Sequence, residues 1–186
     1  MKKFLSIVGV MLAFAMLFTA CSSSKDDPFE DLYKYKSTLF AATAQFGGDV
    51  LKFVDIKATY TGMDGTTKTI TPNTKGEILI DDRSDKLPVE IKVVFQMTKK
   101  ADYEETKASQ KKFDLSISTP AFIPAFLNVN NDVIVLGQGI SSQVFDNKGV
   151  RSDDVDQYFY QVEKYLNVTF SGEFVKKGDR AEFVKK

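Results

Sequence analysis

Between Val89 and Thr98 the chain alternates without a break: Val89, Ile91, Val93, Phe95 and Met97 stand against Glu90, Lys92, Val94, Gln96 and Thr98. Side chains on an extended strand point to opposite faces in turn, so this run predicts a strand with one dry and one wetted face. A helix would scatter the same residues around its circumference. This segment constrains the fold more than any other, because a strand with one apolar face needs partner strands and a second layer to cover it.

The same period recurs along the chain. From Asp49 to Thr61, the residues Val54, Ile56, Ala58 and Tyr60 share one face, and Asp55, Lys57, Thr59 and Thr61 the other. Gly62-Met63-Asp64-Gly65 supplies turn chemistry, and β-branched Thr66–Thr71 returns, predicting a hairpin. Glu77–Asp81 reads as a short strand before a polar turn at Asp82-Arg83-Ser84-Asp85. Lys99–Lys111 is highly charged and reads as an exposed loop or short helical excursion. Phe113, Leu115 and Ile117 alternate with polar neighbours. Short strands are predicted at 133–136, 140–145, 167–175 and 181–186.

Two segments break the pattern. Pro120-Ala121-Phe122 recurs as Pro124-Ala125-Phe126. Each proline removes a ladder donor, which predicts an edge strand or a crossover between sheets. From Ser152 to Leu166, Val155, Tyr158, Phe159, Val162, Tyr165 and Leu166 recur at helical spacing. Ser152 is placed to cap, Asp153, Asp154 and Asp156 sit at the positive end of the dipole, and Lys164 at the other. A strand through Tyr158, Tyr160 and Val162 is the opposing reading. The whole predicts a mainly β fold, an antiparallel β-sandwich with at most one late helix.

The N-terminus carries a different signal. Lys2-Lys3 precede an apolar stretch from Phe4 to Phe18, then Thr19-Ala20-Cys21. The stretch is short for a bilayer span and fits a signal-peptide core. Cys21 is the only cysteine of the 186 residues. Exported proteins normally use cysteines in pairs, so a single one here reads as a processing site. An ordinary secretory signal cut near Ala20 is the plainer alternative. Thr19-Ala20-Cys21 resembles a bacterial lipobox, with Phe18 where that motif prefers an aliphatic residue. The resemblance implies that residues 1–20 are a lipoprotein signal peptide and that Cys21 carries the lipid, palmitate included. The partner would then be a membrane, held through that lipid.

Residues 21–38 read as a flexible tether and 39–186 as a single β domain. Within the tether, Ser24, Lys25, Asp26 and Asp27 resemble the export signal that sends lipoproteins of Bacteroides-type bacteria to the outer face of the outer membrane. Ala58-Thr59-Tyr60-Thr61 before an Asp-Gly turn, with Leu87-Pro88 leading into the Val89 strand, is similar to small β-sandwich lipoproteins of those bacteria whose function is unassigned. The order of strands, late helix and final strand is also similar to a lipocalin-like barrel, without the early Gly-x-Trp signature.

The chemistry open to the chain is narrow. It has no histidine and no tryptophan. That removes imidazole bases and histidine-based metal sites. Gly137-Gln138-Gly139 lacks the rest of a phosphate loop. Asp146–Asp154 has its glycine in the wrong place for a calcium loop and reads as a turn followed by a helix cap. The adjacent carboxylates Asp81-Asp82 face opposite ways on a strand and do not converge, while Glu104-Glu105 and Asp153-Asp154 read as solvated or capping. No catalytic residue, metal or cofactor is therefore named. Without Lys2 and Lys3, the remaining 23 basic and 25 acidic residues give a mildly acidic chain, which argues against nucleic acid. Tyr158 and Tyr160, with Phe122 and Phe126, form the candidate ligand or partner surface, for a protein or glycan. The expectation is a lipid-anchored cell-envelope protein, a surface-exposed binding or accessory module without catalysis of its own. A lipocalin-like carrier of an apolar ligand, and a carboxylate-based hydrolase, are the alternatives.

Overall fold

The strand at Val89 finds its partners on both sides. In the computed structural model, which describes residues 30–186, Val89–Lys99 is β5. It pairs antiparallel with β2 (Val54–Thr61) and with β9 (Val168–Lys177). β3 (Thr67–Ile70) and β10 (Arg180–Lys185) flank them, giving a sheet in the order β10-β9-β5-β2-β3. A second antiparallel sheet runs β4-β1-β6-β7, from β4 (Glu77–Ser84), β1 (Tyr35–Gly48), β6 (Lys112–Asn128) and β7 (Val133–Val135). β8 (Val144–Arg151) pairs with the first half of β6. Ile91, Val93 and Phe95 lie in the core between the sheets. The mainly β sandwich is therefore the observed architecture. The two sheets do not close on each other, which sets aside the barrel.

The core is an aromatic stack that bridges the sheets. Phe170 of β9 lies 4.7 Å from Phe122 of β6 and 5.9 Å from Phe40 of β1, ring centroid to centroid. Phe183 of β10 lies 5.4 Å from the same ring. Room for it comes from Gly172, where a Cβ would meet the Phe183 ring at 2.2 Å. A short helix α1 (Val50–Phe53) carries the chain from one sheet to the other, burying Val50 and Phe53. The strand expected from Asp49 therefore starts at Val54. Phe53 meets Tyr103 of α2 (Tyr103–Ser109) and Phe159 of α3 (Val155–Leu166), so the three helices gather at one end of the sandwich.

Helix α3 buries Val155, Tyr158, Phe159, Val162 and Leu166, as their spacing predicts. Ser152 does not cap it; residues Ser152–Asp154 form a 3-10 turn and Asp154 is the N-cap, with no side-chain bond.

Three expectations are corrected. Strand starts at Tyr35, inside the range 21–38 read as tether. Ser37 and Thr38 are buried there, and the Thr38 hydroxyl donates to the Ser84 carbonyl at 2.9 Å. The Pro120–Phe126 segment is a central strand, between β1 and β7. Pro120 falls where the pairing with β1 slips, between Thr43/Ala121 and Gln45/Ser118, so no regular ladder bond is lost. Pro124 still accepts from Leu136 N at 2.8 Å, at the point where β7 ends. Gly139 lets the following loop lie flat, since a Cβ there would sit 2.6 Å from the Phe122 carbonyl oxygen. Finally, Asp146–Gly149, read as a turn, lies within β8. Gly149 takes φ 66° and donates its N–H to Asp114 Oδ1 at 2.9 Å.

Candidate functional site

The strands leave a groove of about 520 Å³ at the end of the sandwich away from the helices. The hairpin turn Gly62–Gly65 forms one wall. Ser37 of β1 and the segment Asp82–Lys86 form the other. Asp82 shares the parity of Ile78 and Ile80 on β4, so it points inward, where the sheet runs out of core. There the Tyr60 hydroxyl, from the opposite sheet, donates to Asp82 Oδ2. Met63 N donates to the same oxygen at 2.8 Å, and Arg83 N to Oδ1 at 2.8 Å. One carboxylate thus ties both sheets and the hairpin turn together.

The electrostatics follow from this arrangement. Burial pushes the Tyr60 phenol well above its ordinary range, and the hydrogen bond and charge of Asp82 push it further. It is a fixed donor, with no access to the phenolate at any ordinary pH. Asp64 accepts from the hydroxyl of Thr66 at 2.7 Å and its N–H at 2.9 Å, bonds that hold its carboxyl below the usual range. Arg83 turns its Nε onto Ser37 Oγ at 2.9 Å. The groove therefore offers fixed donors and acceptors around Met63. That is suited to holding a polar ligand by hydrogen bonds.

A second polar constellation joins the helices to β5. Asp156 of α3 receives Lys107 Nζ at 2.6 Å, Lys99 Nζ at 2.9 Å and the Tyr103 hydroxyl at 2.9 Å. The bond from Lys107, then that from Lys99, holds its carboxyl far below the usual range. Lys99 also lies over the Tyr103 ring at 4.1 Å. Its charges are matched internally, which marks it as a clamp.

The residues singled out from sequence do not converge. Phe122 and Phe126 are buried, so neither contributes to a surface. Tyr158 is buried too, its hydroxyl donating to the Phe145 carbonyl at 3.1 Å. Tyr160 alone is open, 80 % exposed on the outer side of α3. Cys21, Ser24, Lys25, Asp26 and Asp27, with the signal peptide 1–20, lie outside the described residues. Of the adjacent carboxylates, Asp81 and Asp82 face opposite sides of β4, Glu104 pairs with Lys107 at 3.0 Å, and Asp153 with Arg151 at 3.4 Å. Among the described residues no three His, Cys, Asp or Glu side chains group to hold a metal ion, and no helix is long and apolar enough to cross a membrane. Sequence reasoning missed Asp82 as a partner of Tyr60. The parity it shares with Ile78 and Ile80 is the signal that could have found it.

No family model, no curated protein and no solved structure matches the chain.

Proposed function

We propose that the chain is a lipid-anchored cell-envelope protein of the outer membrane, facing the cell exterior, whose sandwich is a binding or accessory module without catalysis of its own. The observation that carries the reading is the filled interior. Phe40, Phe95, Phe122, Phe170 and Phe183 occupy the space between the sheets where a carrier would need a chamber. Recognition is then left to the surface, and the groove beside Asp82 is its best-organised polar part. Thr19-Ala20-Cys21 supports the anchor, and Ser24 to Asp27 the outward orientation.

The test is made on the protein purified from native membranes. Mass spectrometry should find an N-terminal peptide beginning at acylated Cys21. The intact protein should turn over no substrate on a glycan, ester and peptide panel. It should retain a polar glycan or peptide in a binding screen that Arg83→Ala weakens. Turnover abolished by Asp82→Asn would replace the module with a hydrolase, and a peptide beginning at Ser22 would remove the anchor.

A further inference from the structure

The two outer faces of this sandwich are built differently. That of the β5 sheet is mostly polar: Thr59, Lys92, Gln96, Thr169 and Glu173 point away from the core, with Val94, Val175 and Val184 scattered among them. The outer face of the β1 sheet carries Leu39, Ile123, Leu127, Leu79, Val133 and Val135. Of these, Leu79 is 38 %, Val133 41 % and Val135 54 % exposed. Leu39–Ala42 of β1 and Ala121–Leu127 of β6 are apolar on both sides, the pattern of strands covered on both faces. Its charged side chains lie around this patch: Glu77, Asp81 and Arg83 on the edge strand β4, and Asp114 and Asp146 toward the β8 end. A contiguous apolar face of this kind on a soluble domain marks a contact.

The chain itself indicates which contact. It joins the fold at residues Glu30–Tyr33, held to the end of β6 by Asn128 Nδ2 donating to the Leu32 carbonyl and Val129 N to the Lys34 carbonyl, each at 3.0 Å. That is the Leu127–Val133 end of the apolar face. The nine residues from Cys21 through Phe29 span at most about 30 Å even if fully extended. They are mostly serines and charges, with little apolar surface of their own to lay on the face. A lipid on Cys21 therefore keeps this end of the face within about 30 Å of a bilayer.

We propose that the outer face of the β1 sheet rests on the lipid surface, so that the sandwich lies side-on with its polar sheet turned away from the membrane. This rests on the lipid-anchored reading of Cys21. Anchoring makes the contact effectively intramolecular, so a modest apolar area suffices to orient the domain.

The experiment uses the full chain, lipid-modified in cells, purified and reconstituted in vesicles of phosphatidylethanolamine and phosphatidylglycerol with brominated acyl chains. Val135→Cys, Leu79→Cys and Thr169→Cys are each labelled with a fluorophore; an acylated Cys21 has no thiol to compete. The expected result is loss of emission at 135 and 79, with none at 169. Unquenched labels at 135 and 79, or equal quenching at all three, overturn the docking. Quenching at only one of 135 and 79 overturns the side-on arrangement. Disulfide cross-linking of Val135→Cys between copies in place of quenching assigns the face to a second copy and overturns it as well. The mass of the N-terminal peptide separates the two readings. With Cys21 acylated and 135 unquenched, the docking alone fails; with Cys21 unmodified, the anchor fails and the docking with it.

Discussion

Phe122 and Phe170, from opposite sheets, stack 4.7 Å apart with their ring planes 2° from parallel. Phe122 also meets Phe95 edge-on at 5.9 Å, so one side chain of β6 touches two strands of the other sheet. Phe122→Ala should therefore destabilise the domain by about 3–5 kcal/mol, the range for removing a buried aromatic ring. Tyr160→Ala, on the open side of α3, should stay within about 0.5 kcal/mol of the parent. Denaturant titration of both variants makes the comparison. Similar losses at the two positions would mean that Phe122 is not the bridge between the sheets.

The bond from Tyr60 to Asp82 gives the fold an alkaline limit. The folded state raises the Tyr60 phenol above its ordinary value of 10.0, chiefly by burial and then through Asp82. A group raised on folding contributes stability that is complete below its unfolded pKa and is lost as pH climbs above it. Stability should thus fall beyond about pH 10. Tyr60→Phe should cost about 1.5–3 kcal/mol at neutral pH, as for a hydrogen bond to a charged group, and should flatten the alkaline decline. An unchanged alkaline slope in the variant would assign that decline to another residue.

How much of this was legible depends on whether a strand has one wet face. β5 announces itself because Glu90, Lys92 and Gln96 break the apolar run at every second residue. β1 and the second half of β6 do not. Leu39-Phe40-Ala41-Ala42 and Ala121 to Leu127 are apolar on both faces, so no period of two appears; the sequence alone marks no strand in the first and reads the second as an edge strand or a crossover. The feature that hid these strands is the one that gives the sheet its apolar outer face. The Tyr60–Asp82 contact was hidden for another reason. It joins residues on two sheets, and only the sandwich brings them together.

Asp156 sets an acid limit at the other end of the molecule. Bonds from Lys107 and then Lys99 lower its carboxyl below its ordinary 3.8. A group lowered on folding contributes stability that is present above its unfolded pKa and lost as pH falls toward the folded one. The α2–α3 contact should therefore loosen below about pH 4. Asp156→Asn should be less stable than the parent at neutral pH and lose less on acidification. Hydrogen exchange at α2 and α3 provides the local readout. An acid dependence identical in the two proteins would show that the clamp adds nothing.

Surface exposure is open to a separate test on Ser24 to Asp27, which lie outside the described residues. Ser24 to Asp27 precede Glu30, the first described residue, and the reading gives them a role in export alone. Replacing Lys25, Asp26 and Asp27 with alanine should therefore leave thermal unfolding of the purified protein unchanged. It should also leave acylation at Cys21 intact, since Thr19-Ala20-Cys21 is untouched. The change should appear only in whole cells, where added protease would no longer reach the domain while still digesting it after lysis. Cys21→Ser should act earlier, leaving a precursor that is uncleaved or released from the membrane. If the alanine variant stays as accessible as the parent, residues 24–27 are spacer alone, and any outward orientation is set elsewhere in the chain.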